Sequence, residues 1–388
     1  MGLLSYYCLM QKRISLLGST GSIGKSTLEV VRHLKDDLKI VALAARSQID
    51  LLEKQAHEFN PEIIAVYEPA AAKQLQDRLP SIPILSGVEG LKAVAAFEGA
   101  DFTMLAMSGT MGLMPAISAI EAGKQIGFAN KELLVCAGEL ICKLAREKGV
   151  LLLPVDSEHG ALFQCLLGEK KEQVGRLILT ASGGPFRKST LSELKGVTVD
   201  HAMRHPNFTM GPKVTIDSST LMNKGLEMIE ARWLFDIDPS KIEAIVHPEQ
   251  KIHSCVEFID GSILAQISDP DMLVPIQYAL TYPERKKGLL APYDFVKNGS
   301  FTFFSPNTEK FRCLYVAIEA MKAGKSYPCF MNAANEVLVD RFLKKKISWL
   351  EIGSKLEKLI SSHQSQNLLT LDAVHEVDRL AREKASVV

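Results

Sequence analysis

The chain has 388 residues, 47% of them apolar, and its 45 basic and 45 acidic residues leave a formal net charge of zero. That length fits two or three domains of about 100–200 residues each, the apolar share supports a substantial core, and the neutral balance gives no electrostatic case for nucleic acid or an anionic membrane as partner. The seven cysteines are scattered, with no C-x-x-C, which fits a reducing compartment and argues against a disulfide framework or a cysteine-held zinc.

No apolar run approaches the roughly 20 residues of a spanning helix. Residues 1–10 have no basic n-region and no small-residue cleavage site, so a cytoplasmic location is expected. The fold is expected to begin at Lys12. Residues 13–17 form an apolar run, followed by Gly18-Ser19-Thr20-Gly21-Ser22-Ile23-Gly24 and a helical pattern to about Leu34. A second run, 39–44, ends at Ala45-Arg46-Ser47. A helix near 50–59, a strand at 63–66, a helix after Pro69, and strands near 103–106 and 125–128 continue the rhythm. Strand–helix alternation predicts a parallel sheet covered on both faces, here a Rossmann-like domain over 12–150.

The glycine loop permits a tight turn, close backbone approach to a pyrophosphate and a helix N-terminus beneath it. Its spacing departs from G-x-G-x-x-G, so a plain strand–helix turn stays open. Where an NAD binder usually carries Asp or Glu, this chain has Arg46-Ser47, which suits the 2′-phosphate of NADP. Ala129-Asn130-Lys131-Glu132 follows the strand at 125–128 and reads either as a ligand contact or as a helix cap.

A mixed α/β domain is expected over 151–284, with strands near 150–155, 176–180, 213–216, 244–246 and 253–259. Asp260-Gly261 predicts a type I′ hairpin into 262–267. Asp156-Ser157-Glu158-His159 places two carboxylates at i, i+2, able to share one side of an extended backbone. They suit Mg²⁺ or Mn²⁺, or else an acidic helix start. Ser182-Gly183-Gly184-Pro185-Phe186 suits a phosphate or a plain turn. Residues 204–212, flanked by prolines and without period, read as a lid. His201 and His205 are i, i+4, but Pro206 disfavours helix at His205.

Residues 217–227 read as the start of a helix, capped by Ser218 or Ser219, with its dipole favouring an anion. Asn223 and Glu227 share a face, with Lys224 beside Asn223. Residues 285–306 read as a linker arm. From 307 to 388 the pattern is helical, with a capping box at Ser348 and a helix opening at Thr370.

In order, GSTGSIG at 18–24, ANKE at 129–132, VDSEH at 155–159, SGGPF at 182–186, HPNFTMG at 205–211, DSSTLMNKGLE at 217–227 and IHS at 252–254 closely resemble the 1-deoxy-D-xylulose 5-phosphate reductoisomerase family. The resemblance runs nearly the whole chain from Met10. It implies a Rossmann-like NADP-binding domain, a central catalytic domain and a C-terminal helical domain, assembled as a homodimer.

It implies a divalent metal (Mg²⁺ or Mn²⁺) on Asp156, Glu158 and Glu227, with the substrate phosphate on Ser182, Ser218, Asn223 and Lys224. Ser157, Lys131, His159, His205 and His253 would line the substrate site, under a lid at 203–212 that carries Phe208. NADPH would meet Gly18, Thr20, Gly21, Ser22, Ile23, Gly24, Ala45, Arg46, Ser47, Asn130, Lys131, Glu132 and Gly211, with Met272 near the nicotinamide. The implied reaction breaks C3–C4 of a 2-ketose phosphate, rejoins the fragments as a branched aldehyde and reduces it. Phe208 stands where many members carry Trp, and Ser219 where Ala is more usual. A dehydrogenase of a phosphorylated polyol, or an NADP-sensing protein, would also use the glycine loop, but neither needs three carboxylates.

Overall fold

Seven strands form one parallel sheet in the computed structural model, which describes residues 11–204 and 211–388. They are β1 (Lys12–Leu17), β2 (Leu38–Ala45), β3 (Ile63–Val66), β4 (Ile84–Ser86), β5 (Phe102–Leu105), β6 (Gln125–Phe128) and β7 (Leu152–Pro154). Their order is β4-β3-β2-β1-β5-β6-β7, so the winding reverses between β1 and β5, where α/β sheets open a ligand crevice. Ile14, Leu16 and Leu17 of β1, and Val41 to Ala44 of β2, are fully buried. Helices on both faces therefore require continuous apolar runs in place of alternation.

The expected elements of this sheet are present, and Pro69 opens the helix Pro69–Arg78, where its fixed φ and missing N–H cost nothing. β4 and the helix Gly87–Ala95 were outside the expectation, because three residues are too few to show a period. β7 pairs with β6 and closes this sheet; it does not open the second region. The helix Leu273–Thr281 also belongs here, packed on the helix Ser22–His33 and on β6 and β7. The unit is therefore discontinuous, with Leu144–Val155 and Met272–Ala291 joining the residues up to Asn130.

The second unit comprises Lys131–Lys143, Asp156–Asp271 and Pro292–Val388. Its sheet holds β8 (Val174–Ala181), β9 (Ile242–Val246), β10 (Ile252–Phe258) and β11 (Ile263–Ile267) in the order β11-β10-β8-β9. β8 and β9 are parallel and the other pairs antiparallel. The hairpin expected at Asp260-Gly261 is present, but it is not type I′. Gly261 has φ +85 while Asp260 is absent from the positive-φ residues. Asp260 instead accepts from Ser262 N at 2.9 Å, a local bond that stabilises the turn with a single left-handed residue.

Residues 213–216 are helical, not a strand. Pro212 starts the helix Pro212–Ser219, and Val214-Thr215-Ile216 is too short a β-branched run to outweigh that start. The helices expected as a separate domain from 307 share the unit with the second sheet: Met222–Phe235 packs on Arg312–Ala323. The capping box at Ser348 and the Thr370 cap are as expected. Among the described residues no helix is long and apolar enough to cross a membrane.

Candidate active site

In the first unit the chain doubles back after β1. Gly18 has φ +84, and a Cβ there would lie 2.4 Å from Ala106 O; a Cβ on Gly24 would lie 2.2 Å from Gly18 O. Steric closure thus demands glycine at both ends of the loop. Gly21 is the N-cap of the helix Ser22–His33, with no side-chain capping bond and no acid in the first turn. No side chain of that turn neutralises the positive end of the helix. Thr20 is buried, and the buried Ser19 Oγ has no hydrogen-bond partner among the described residues.

Arg46, at the exit of β2, is exposed and lies 3.4 Å from Glu68. Ala45 is buried beside it and Ser47 is exposed. Asn130 Nδ2 donates to Gly109 O at 2.9 Å. Met272 takes the N-cap position of the helix Leu273–Thr281 in the same unit. An uncompensated helix N-terminus and an exposed guanidinium at the carboxyl edge of the sheet fit a dinucleotide carrying an extra phosphate.

The second unit gathers the acidic residues. Asp156 is the N-cap residue of the helix Ser157–Cys165 but makes no capping bond. Its carboxylate lies 2.7 Å from Lys131 Nζ instead. Asp156 and Glu158 are thus carried by a strand-to-helix turn, not by extended backbone. Lys131 also reaches Glu227 Oε1 at 3.1 Å and Asn223 Oδ1 at 3.0 Å. Lys224 donates to Glu158 Oε1 at 2.7 Å and pairs with Glu227 Oε2. The order of contact is Asp156, Lys131, Glu227, Lys224, Glu158: three carboxylates threaded by two ammonium groups.

Burial works against ionised Glu158, but the Lys224 ammonium and the Ser157 hydroxyl hold its carboxyl at about 2. Burial disfavours the charged form of Lys131, but Asp156, Glu227 and Glu230 outweigh it and raise its pKa. His159 is fully buried, and its Nε2 donates to Glu227 O at 2.8 Å. Burial lowers its pKa, which keeps the ring neutral.

Sequence reading missed Glu230. It is 1% exposed, neither carboxylate oxygen has a hydrogen bond among the described residues, and Oε2 lies 3.5 Å from His159 Nε2. Burial, then Asp156, push its pKa well up. Asp156, His159 and Glu230 each bring a potential ligand atom within 4.8 Å of the others. The available signal was Glu227-x-x-Glu230, a second carboxylate one turn along the same face of the helix. Hard oxygen donors in excess of the lysines, with no sulfur among them, fit a divalent cation of the Mg²⁺ or Mn²⁺ kind.

Beside this centre lie the two Ser-rich segments. The segment at 217–227 is not one capped helix start. Asp217 to Ser219 end the helix Pro212–Ser219, Leu221 turns left-handed at φ 58, and the next helix begins at Met222. Ser218 and Ser219 therefore cap nothing. The break still sets Asn223, Lys224 and Glu227 on the first turns of Met222–Phe235. Gly184 (φ +66) lies against this break, where a Cβ would stand 2.7 Å from Ser218 O. Within its turn Ser182 Oγ accepts from Gly184 N at 3.1 Å, and at Gly184 the two segments meet.

Glu132, expected at the cofactor, pairs with Lys213 at 3.1 Å; Lys213 also binds Asp217 at 2.8 Å. Gly211 is the N-cap of Pro212–Ser219. His253 on β10 is buried, with Nε2 2.9 Å from Ser268 Oγ. His205 and Phe208 lie outside the described residues.

A dinucleotide cradle in one unit, and a carboxylate–lysine centre beside Gly/Ser turns in the other, define an oxidoreductase class that acts with a nucleotide and a divalent cation. Three family models match the chain: 1-deoxy-D-xylulose 5-phosphate reductoisomerase over residues 14–138, its C-terminal domain over 152–235, and the DXP reductoisomerase C-terminal domain over 267–384. The chain is 59% identical over 375 residues to 1-deoxy-D-xylulose 5-phosphate reductoisomerase of Protochlamydia amoebophila, covering 97% of this chain and 98% of that protein.

Among solved structures, the reductoisomerase of Zymomonas mobilis in complex with NADPH superposes with a TM-score of 0.92 at 42% identity, covering 97% and 98% of the two chains. A DOX-P reductoisomerase in complex with NADPH, fosmidomycin and magnesium gives 0.89 at 38%, covering 97% of each. The chain belongs to the 1-deoxy-D-xylulose 5-phosphate reductoisomerase family.

Proposed function

We propose that the chain converts 1-deoxy-D-xylulose 5-phosphate to 2-C-methyl-D-erythritol 4-phosphate, for isoprenoid precursor biosynthesis, with NADPH and Mg²⁺ or Mn²⁺. The observation that carries this is the threading of Asp156, Glu158 and Glu227 by Lys131 and Lys224. Asp156, Glu158 and Glu227 hold the cation. When bound, the cation supplies Lewis acidity and NADPH supplies hydride.

Ser182, Ser218, Asn223 and Lys224 grip the phosphate, a group that does not itself react, so their binding energy goes into orientation. Lys131, kept protonated by its acidic neighbours, donates to oxygen atoms of the sugar as negative charge develops. His159 and His253, both buried, and Ser157 shape the sugar site, with His205 and Phe208 in the covering segment. A polyol dehydrogenase would make no use of the three carboxylates.

The deciding assay follows NADPH absorbance with 1-deoxy-D-xylulose 5-phosphate, with Mn²⁺ or with excess chelator. Metal-dependent oxidation is expected; oxidation that survives chelation would place the chain with the simple dehydrogenases. In the same assay Arg46→Ala should cut the preference for NADPH over NADH about 10-fold, the scale of one charged hydrogen bond. An unchanged ratio removes Arg46 from the 2′-phosphate.

The edge strand β11 exposes Ile263 and Leu264, and Ile259 before it is also exposed. An apolar sheet edge of this kind suits pairing with a second copy and supports the homodimer; a monomeric mass by light scattering would oppose it. The absence of disulfides among the described residues supports a cytoplasmic location, which localisation of the tagged chain would test.

A further inference from the structure

We infer that Trp349 is a positioning residue for the phosphate grip, joining the turn at 182–186 to the segment at 218–224 through the Ser219 hydroxyl. Trp349 is the first residue of the helix Trp349–Ser361, whose start is fixed by the Ser348–Glu351 capping box. It is 3% exposed. Its Nε1 donates to Ser219 Oγ at 2.9 Å, and that hydroxyl, fully buried, donates onward to Ile216 O at 2.7 Å. The Phe186 ring meets the indole edge-on, 5.2 Å between centroids at 77°. One side chain thus holds both phosphate segments, by a ring contact on one side and a hydrogen bond on the other.

The contact is built for rigidity. The turn is anchored from behind by Lys310 Nζ, which donates to Phe186 O, Arg187 O and Ser189 O at 3.1, 2.8 and 2.9 Å. Gly184 lies directly on Ser218, with no space for a Cβ, so a shift of either segment is felt by the other. Ser219 itself points away from the grip. Its hydroxyl makes the Trp349 contact possible, because a buried indole N–H facing an alanine would stay unsatisfied. Ser219 and Trp349 are therefore one unit: removing the hydroxyl leaves the buried indole N–H unmatched, removing the indole N–H breaks the brace while Ser219 still donates to Ile216 O, and removing both leaves no unmatched donor. Neither residue touches the carboxylate centre, so the effect falls on phosphate binding and spares the chemistry.

The inference rests on the reading of Ser182, Ser218, Asn223 and Lys224 as the phosphate site. The test is a double-mutant cycle of Ser219→Ala and Trp349→Phe in the full chain. It reads KM and kcat for 1-deoxy-D-xylulose 5-phosphate and the inhibition constant of inorganic phosphate. Ser219→Ala should raise KM and the phosphate constant about five-fold, the scale of one unmatched buried donor, and Trp349→Phe should raise them by less, with kcat within about two-fold for both. The double variant should be no worse than the worse single.

Lowered melting temperature with unchanged phosphate inhibition, or strictly additive effects, would overturn the inference. Ser219→Ala alone decides the matter if Trp349→Phe does not fold. Lys224→Met serves as the control: if it too leaves phosphate inhibition unchanged, the phosphate assignment has failed, not the brace.

Discussion

Glu227→Gln should lower kcat by about 10³-fold or more, because the Lewis acid it helps to hold is worth several kcal/mol. Glu227 accepts from Lys131, forms an ion pair with Lys224, is buried, and receives Asn223 Nδ2 as well. The amide keeps shape and one acceptor but loses the charge. Lys131 and Lys224 would then face only Asp156 and Glu158, and a cation would enter a centre that has lost its net negative charge. Three carboxylates less two ammonium groups leave −1, and the variant leaves zero.

Mn²⁺ affinity, read by paramagnetic resonance without substrate, should fall by roughly 100-fold. NADPH affinity should hold, since the glycine loop and Arg46 lie in the other unit, and that separates a metal effect from misfolding. Full turnover at ordinary Mg²⁺ would refute the assignment of Glu227 as a ligand.

Where a local rule and the final structure agree, the sequence was legible. Gly18 and Gly24 are required by backbone closure within a few residues, so the loop and its strand–helix setting could be read directly. The same holds for Pro69, Ser348 and Thr370, whose roles are complete within one turn. Legibility failed where packing from distant chain decides. Nothing near Lys213-Val214-Thr215-Ile216 overrides its β-branched look except Pro212 at its start, and nothing near Leu221 announces a left-handed residue.

The domain boundary failed for a related reason: β7 and the helix Leu273–Thr281 are placed by pairing and packing with residues far away in sequence. At the site, the i, i+4 pair Asn223 and Glu227 was readable because a helix fixes it. The contacts of Lys131 with Asp156 and Glu227 span 25 and 96 positions and have no local trace. Ser219 shows the limit plainly. As a residue in a motif it was only a departure; its meaning is Trp349, 130 positions on.

Lys224→Met should give two effects of opposite sign. A charged hydrogen bond to phosphate is worth about 1.5–3 kcal/mol, so KM for the sugar phosphate should rise about 10- to 100-fold. Cation affinity without substrate should instead increase. The Lys224 ammonium occupies the same oxygens that a cation would use, at 2.7 Å from Glu158 Oε1 and in contact with Glu227 Oε2. Methionine fills the buried space with no charge, so a divalent ion would no longer displace a bound ammonium; a gain of about 10-fold in Mn²⁺ affinity is expected at these distances.

In the native chain a cation held by Glu158 and Glu227 would compete with Lys224 for their oxygens, and a released ammonium would be available to the phosphate. Cation and sugar phosphate must therefore strengthen each other's binding, by equal factors from either side. The variant should lose that mutual gain along with the lysine. Titrating Mn²⁺ into native and Lys224→Met protein, each with and without the sugar phosphate, measures all four affinities. Cation affinity unchanged or weakened by the substitution would show that the ammonium does not compete, and would leave Lys224 as a phosphate ligand alone.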